Sequence, residues 1–391
     1  MAEAAGRPPA RRPDPRDPMR PPDLPVLLRW TRFPSDPHGT GPEKRSAQIA
    51  ALCRRAGFAV ADMQPPVSVP RGRTLLAGLA ARWRFGRRAS LVARSIGLLG
   101  YQANFYREAL ARHEGRRLLL WETTYDRLLP AMARAAGFRV IALPHNLEAL
   151  VSEAVFADAG YDPLPDLAAE VSRLSLADAI HVIAREEQWF LETQRQTSRY
   201  LPYFPVPELA AEYADLRRRR EARARADGTV DGPLLLLGSA FNPATGRGMD
   251  LQLGWLAGAS PAAGVVVAGP ETDVRLAAHR APGVSLLGRV PAARLHELFV
   301  ECSALLIHTS GGAGAVTRIP EALLAGIPVI ANENAARDRH DVPGVHVYAS
   351  PEEFQALVKR PLPIPPGPTA PRAAEAALAA DLLRLSNLTP D

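Results

Sequence analysis

The sequence predicts an α/β fold made of two Rossmann-like domains facing each other across a cleft. Three observations carry this expectation. Short apolar runs alternate with helical stretches of about 10–15 residues, the pattern of right-handed βαβ units and a parallel sheet. Two such series occur, separated by a charged helix and a Gly/Asp-rich turn between Glu208 and Gly232. Finally, the chain has 391 residues, 47% of them hydrophobic and 23% charged, an ordinary globular balance. At roughly 100–200 residues per domain this is material for two cores.

The elements follow in order. Residues 1–24 form a Pro/Arg/Asp tail too polar to fold. Pro25 to Trp30 reads as the first buried strand, followed by a Pro/Gly-rich loop to Glu43. Ser46 to Gly57 has helical spacing with a glycine stop, and Phe58 opens a second strand. Residues 74–113 read as helical, with Trp83, Phe85 and Tyr101 among arginines. Arg117 to Trp121 is a strand, Asp126 to Ala136 a helix, and Phe138 to Leu143 a strand ending in Pro144-His145-Asn146. Ala179 to Ile183 is the next strand. The second series has strands at Leu234–Leu237, Val265–Ala268, Val284–Leu287, Ala304–Ile307, Ile327–Ala331 and Val345–Tyr348. A Pro-rich stretch, 361–371, precedes a last amphipathic helix from Ala373 to Leu385. The expected domains are 25–215 and 233–372, joined by a linker at 216–232, with 373–391 crossing back to the amino domain.

Composition excludes several classes. No apolar run reaches the ~18 residues of a membrane-spanning helix, and the amino terminus lacks the apolar core of a secretory signal. Two cysteines in different halves exclude a disulfide framework and a Cys-based zinc cluster. The nine histidines show neither H-x-x-x-H nor H-E-x-x-H spacing, so no zinc is expected. These features predict a cytoplasmic protein. The formal net charge is +6, and only Lys44 and Lys359 are lysines among 47 basic residues. Arginine usage of this kind reflects coding bias first, and no nucleic-acid partner is expected. From Arg71 to Arg117, however, 11 arginines face only Glu108 and Glu114, a local net of +9. That patch is either a solvated helical face or a surface for an anionic partner, such as a membrane.

The stretch from Leu305 to Asn332, LLIHTSGGAGAVTRIPEALLAGIPVIAN, carries the most chemistry. A buried strand gives way to a glycine-rich loop, and a helix starts near Val316 or Thr317. Such loops let backbone approach a phosphate, and the N–H groups of a helix start favour an anion. Arg318, placed one turn inside, adds a charged contact. Glu321 can accept two hydroxyl hydrogen bonds from a ribose; the alternative is a solvent-facing carboxylate. Glu122, at a strand end, is either a base or hydroxyl ligand or a helix-start carboxylate. His308 contacts phosphate or is structural. Gly39-Thr-Gly41-Pro-Glu-Lys44 lacks the third glycine of a dinucleotide fingerprint.

The Gly311–Ala331 stretch resembles the carboxyl-domain signature of glycosyltransferases of family 4 type, which have the GT-B fold. Arg318, Glu321-Ala322 and Gly326 to Ala331 match that signature, and the resemblance covers about residues 233–358. It is weaker in the amino half, at Trp30 to Arg45, Pro144-His145-Asn146 and His181 to Glu187. The resemblance implies transfer of a sugar from a nucleotide-diphosphate sugar to an acceptor, with retention, and with neither metal nor other cofactor. It implies donor contacts from Gly238, Arg247, Val290, Gly311, Gly312, Gly314, Arg318 and Glu321, with His145 and Glu321 in the catalytic roles. Arg32, His38, Gly39 and Glu122 fall on the acceptor side. Two departures stand out. Ala313 replaces the first carboxylate of the family's paired motif, and Ser239 and Ala240 stand where an arginine is usual. The alternatives are a GT-B nucleotide-sugar epimerase, or a non-catalytic protein that binds a nucleotide sugar or an anionic polymer.

Overall fold

The structure, a computed structural model, describes residues 24–63, 71–86, 96–124, 126, 128–151, 164–257 and 264–387. The expected amino-terminal tail lies outside them, apart from Leu24, as do Arg87 and Arg88.

The amino half runs β1 (Val26–Trp30), α1 (Gly41–Arg55), β2 (Ala59–Asp62), α2 (Arg71–Phe85), α3 (Ile96–Arg112), β3 (Arg116–Trp121), α4 (Leu129–Ala135), β4 (Arg139–Ala142), α5 (Leu164–Leu174), β5 (Ala179–Val182), α6 (Arg185–Thr193) and β6 (Arg199–Tyr200). Helix α7 (Pro207–Glu221) leads to the carboxyl half. That half runs β7 (Leu234–Leu237), α8 (Pro243–Ala257), β8 (Val265–Ala268), α9 (Thr272–Arg275), β9 (Val284–Leu286), α10 (Ala292–Glu301), β10 (Ala304–Ile307), α11 (Arg318–Leu324), β11 (Val329–Asn332), α12 (Glu333–Ala336), β12 (Val345–Tyr348), α13 (Pro351–Val358) and α14 (Arg372–Ser386).

Each half holds a six-stranded parallel sheet, ordered β2-β1-β3-β4-β5-β6 and β12-β11-β10-β7-β8-β9. Sheets covered on both faces read as continuous apolar runs, as Leu234–Leu237 and Ala304–Ile307 do. Alternation within the runs still divides the core. Leu27, Leu118, Leu120 and Ile141 pack toward α1 and α14, whereas Leu28, Leu119, Trp121 and Val140 pack toward α3 and α4. Leu378, Leu382 and Leu385 of α14 join the amino-half core. Leu209, Tyr213 and Leu216 of α7 join the carboxyl-half core.

Strand order reverses between β1 and β3 in one sheet and between β7 and β10 in the other. Loops leaving the carboxyl ends of strands at such a reversal diverge and open a crevice, the usual ligand position in an open α/β sheet. The two crevices face one another. Gly41, opening α1, packs beside Thr317, just before α11.

Some boundaries differ from the sequence expectation, each for a local reason. α1 starts at Gly41 rather than Ser46, because the Glu43 carboxylate accepts the Thr40 backbone N–H (2.6 Å) and Pro42 suits a first turn. α4 starts at Leu129 rather than Asp126, whose carboxylate is taken by the Trp30 indole and the Tyr106 hydroxyl. α11 starts at Arg318, so this arginine opens the helix instead of lying a turn inside it. The described part of 74–113 is two helices, packed where Gly78 meets the Ile96 carbonyl and Gly100 meets the Thr74 carbonyl. A side chain at either glycine would overlap that backbone.

Candidate active site

The carboxyl-half crevice is built from the ends of β7 and β10. After β10 the chain turns through Gly311, Gly312 and Gly314, whose φ angles are +120°, +97° and +79°. Residues with a Cβ rarely adopt that region, so the backbone path itself calls for glycine. Neighbouring strand ends hold the loop. Asn332 accepts the Thr309 N–H (3.1 Å) and donates to its carbonyl (3.0 Å), and Arg337 donates to the Gly312 carbonyl (2.5 Å). His308 Nδ1 pairs with the Tyr348 hydroxyl at 2.9 Å, which commits that ring to the core packing.

Arg318 reaches back from α11 to donate to the Leu237 carbonyl, and its guanidinium covers Gly238. A side chain at 238 would fill the arginine's place. Arg247 is exposed near the start of α8, next to Gly248, which packs on the His308 backbone. Val290 is half-buried just beyond β9. Ala313 puts no carboxylate in the loop.

Glu321 is 2% exposed, which excludes a solvent-facing side chain. Its Oε2 receives Lys44 Nζ at 2.8 Å and its Oε1 receives the Tyr203 hydroxyl at 2.9 Å. Lys44 belongs to α1 of the amino half, and Tyr203 to the segment running into α7. The carboxylate expected to hold a ribose therefore also ties the two halves together. Burial pushes the Tyr203 hydroxyl well above the ordinary tyrosine range, and the neighbouring Glu321 charge adds to the shift, so Tyr203 is a fixed donor.

The amino-half crevice centres on Glu122, which is fully buried after β3. It accepts hydrogen bonds from Ser46 Oγ (2.5 Å), His145 Nε2 (3.1 Å) and Arg29 Nη1 (3.3 Å). Burial alone would raise its pKa. The bonds from His145 and Ser46 and the Arg29 charge outweigh burial and hold the carboxyl below its ordinary value. Glu122 thus orients His145 from within. The His145 ring stacks on Phe33 at 5.3 Å, and its Nδ1 is buried without a hydrogen-bond partner. The His145 backbone carbonyl packs against Gly314, so the structure joins the strand-end histidine to the glycine loop.

Two buried carboxylates hold the segment after His145. Glu170 accepts the Glu148 and Ala149 N–H groups (3.1 and 3.0 Å), and Glu187 accepts that of Leu147 (2.9 Å). Among the residues expected on the acceptor side, Arg32 is exposed with its guanidinium 3.5 Å from Asp126. His38 is exposed 3.6 Å from Glu212 of α7, and Gly39 packs against Glu43. Glu122 and Arg32 share the β1/β3 crevice, whereas His38 and Gly39 lie in the turn before α1.

The sequence reading missed Lys44, Tyr203, Asn332, Glu170 and Glu187. Lys44 carried one usable signal, since it is one of only two lysines in an arginine-rich chain. Among the described residues, no group of three or more His, Cys, Asp or Glu side chains is placed to hold a metal ion.

No protein-family model matches the chain. Its fold does match solved structures over nearly its whole length. HepE of Anabaena, in complex with UDP, aligns at a TM-score of 0.56 and 14% identity, covering 92% of this chain and 100% of HepE. The sucrose-phosphate synthase of Thermosynechococcus elongatus aligns at 0.54 and 14%, covering 93% and 92% of the two chains. The α,α-trehalose 6-phosphate synthase of Burkholderia multivorans aligns at 0.54 and 14%, covering 93% and 94%. At this identity the likeness is one of architecture, and the architecture is GT-B, as the sequence resemblance implied.

Proposed function

We propose that the chain is a glycosyltransferase that moves a sugar from a nucleotide-diphosphate sugar to an acceptor, with retention and without a metal. The observation that carries this reading is the convergence of two helix starts, α1 and α11, on a positive-φ glycine loop flanked by Arg318 and Glu321. N–H groups at helix starts and a guanidinium are what a departing diphosphate needs as its charge grows.

On this reading residues 233–372 hold the donor and 25–215 the acceptor, with 216–232 as linker. Glu321 takes the ribose hydroxyls. Gly238, Gly311, Gly312 and Gly314 let backbone approach the diphosphate and donor sugar, Arg318 and Arg247 supply charge, and Val290 borders the base. His145, oriented by Glu122, meets the sugar from the amino half; Arg32, His38 and Gly39 border the acceptor. Ala313 and the Ser239-Ala240 pair favour a second reading, nucleotide-sugar binding without transfer.

Calorimetric titration with UDP, the nucleotide in the HepE complex, and with ADP and GDP tests the site. Binding to the wild type and about 10-fold or more weakening in Glu321→Ala is the expected result, since a hydrogen bond to a charged group is worth about 1.5–3 kcal/mol. Failure of every nucleotide to bind overturns the reading. Sugar release from a bound donor, followed by product analysis with and without acceptors, separates transfer from binding alone.

A further inference from the structure

Helix α2 is two-faced in an unusual way. Ala77 and Ala81 point inward and are buried. The opposite face leaves Leu75, Leu76, Leu79 and Trp83 at 56, 71, 52 and 89% exposure. Positions 76, 79 and 83 repeat at i, i+3 and i+7, so they share one stripe. Leu98 (57%) and Tyr101 (41%) are also exposed, on α3, which packs against α2. Isolated exposed leucines need no explanation, but an exposed apolar stripe along one helix face marks an interaction surface.

The helix that carries the stripe is cationic in sequence. Helix α2 contains Arg71, Arg73, Arg82 and Arg84 and no acidic residue. Of the two acids between 71 and 117, Glu108 is already paired with Arg112 at 3.0 Å. Under the hairpin, between α2, α3 and α4, lies a cavity of about 450 Å³. Alanines, Phe85, Leu110, Met132 and Phe138 line it, with Arg84, Arg107 and Arg117 and no carboxylate. Among the described residues, the charged side chains of α2 and of the cavity lining are cationic, which complements an anionic amphiphile.

We propose that the outer face of α2, with Leu98 and Tyr101 of α3, is a docking surface for an anionic lipid bilayer. Leu76, Leu79 and Trp83 enter the boundary between headgroups and acyl chains, and the arginines of the hairpin meet lipid phosphates. Charge selects this occupant. A bilayer rich in anionic lipid offers apolar depth and a continuous negative surface together, whereas a second copy would oppose two faces of like charge. Among the described residues no helix is long and apolar enough to cross a membrane, so attachment through this face is peripheral. The inference goes beyond the transfer reading and does not depend on it.

The test is co-sedimentation of the full chain with vesicles of equal parts phosphatidylglycerol and phosphatidylcholine, compared with phosphatidylcholine alone. The wild type is expected to pellet with the anionic vesicles only. Attachment should weaken as the Debye length falls from ~10 Å at 0.1 M salt to ~3 Å at 1 M. The triple variant Leu76→Ser/Leu79→Ser/Trp83→Ser, altered only at exposed positions, should melt like the wild type and lose at least 10-fold in vesicle affinity. Brominated acyl chains should quench an emission component present in the wild type and missing in Trp83→Phe. Three results each overturn the proposal: wild type left in the supernatant with anionic vesicles at low salt, a triple variant that pellets like the wild type, or self-association of the wild type through this face that the triple variant abolishes.

Discussion

At Glu321 the chemistry narrows to two oxygens with several claimants. Lys44 holds one and Tyr203 the other. On the proposed reading, a ribose that takes Oε2 must displace the lysine, whose next anionic neighbour would be the diphosphate. Lys44→Met is therefore expected to leave uridine binding unchanged or tighter while weakening UDP about 10-fold, because only the diphosphate gains from the cation. Titration with both compounds checks this, and equal losses for the two would assign Lys44 a purely structural role. His145 calls for a different measurement. Its Nε2 is fixed on Glu122 and its Nδ1 is buried and unpaired. An interaction made mainly in the transition state lowers kcat and kcat/KM together. His145→Ala should lower turnover at least 10-fold with little change in UDP affinity, and a rise in KM alone would remove the histidine from the chemistry.

At the scale of elements, α7 shows how one arginine organises a domain. Arg220 is fully buried and donates to the carbonyls of Phe299 (2.6 Å), Cys302 (2.7 Å) and Gly326 (3.1 Å). Those carbonyls end α10 and the turn after α11, where helices leave acceptors without an internal partner. Arg217 does the same for Leu323 (2.6 Å) and Leu324 (3.1 Å). The arginine-rich run that reads from the sequence as an inter-domain linker is, on this face, a clamp on the carboxyl half. Arg220→Met should leave several carbonyls unpaired at about 1–3 kcal/mol each before relaxation. The expected outcome is a clearly lower melting temperature with the helix content retained. Arg219→Met, one position along on the exposed face, should melt like the wild type. The loop after His145 adds a pH signature. Burial pushes the Glu187 carboxyl up to about 7, and the nearby Glu170 charge adds to the shift. Its folded pKa thus exceeds the ordinary ~4.3 of an unfolded glutamate. Between those values the native state binds more protons than the unfolded state, so this group costs stability as pH rises from about 4.3 to 7. Glu187→Gln keeps an acceptor for the Leu147 N–H and removes the titration. Thermal melts across that window should show the variant gaining on the wild type as pH increases; a constant difference would mean that Glu187 does not titrate there.

Across the whole molecule, the two halves are stitched at their facing loops and by two exchanged helices. Lys44–Glu321 closes one point and the His145–Gly314 packing a second. Asp381 of α14 pairs with His181 (3.0 Å) and Arg199, fastening the carboxyl-terminal helix to the amino half. Cleft motion must therefore break named contacts, and Lys44→Met should also widen the distribution of interdomain distances in solution, measurable between labels on α1 and α11. The sequence by itself determined the parallel α/β architecture, the two-domain division and the glycine loop. Those features are local: apolar runs bury because transfer from water favours it wherever they lie, and glycine alone enters positive φ cheaply. It also placed His145 at a strand end and Arg318 and Glu321 on the helix after the glycine loop, although Arg318 opens that helix instead of lying a turn inside it. It left the partners of Lys44, Tyr203, Glu170 and Glu187 invisible, because a polar side chain acquires its partner only when distant strand ends meet. Lys44 and Glu321 are 277 residues apart, and nothing within a helical turn of either announces the other. The reversal of strand order brings them together, so only the tertiary structure decided which carboxylates are bound, which arginines are clamps, and which leucines of α2 stay in water.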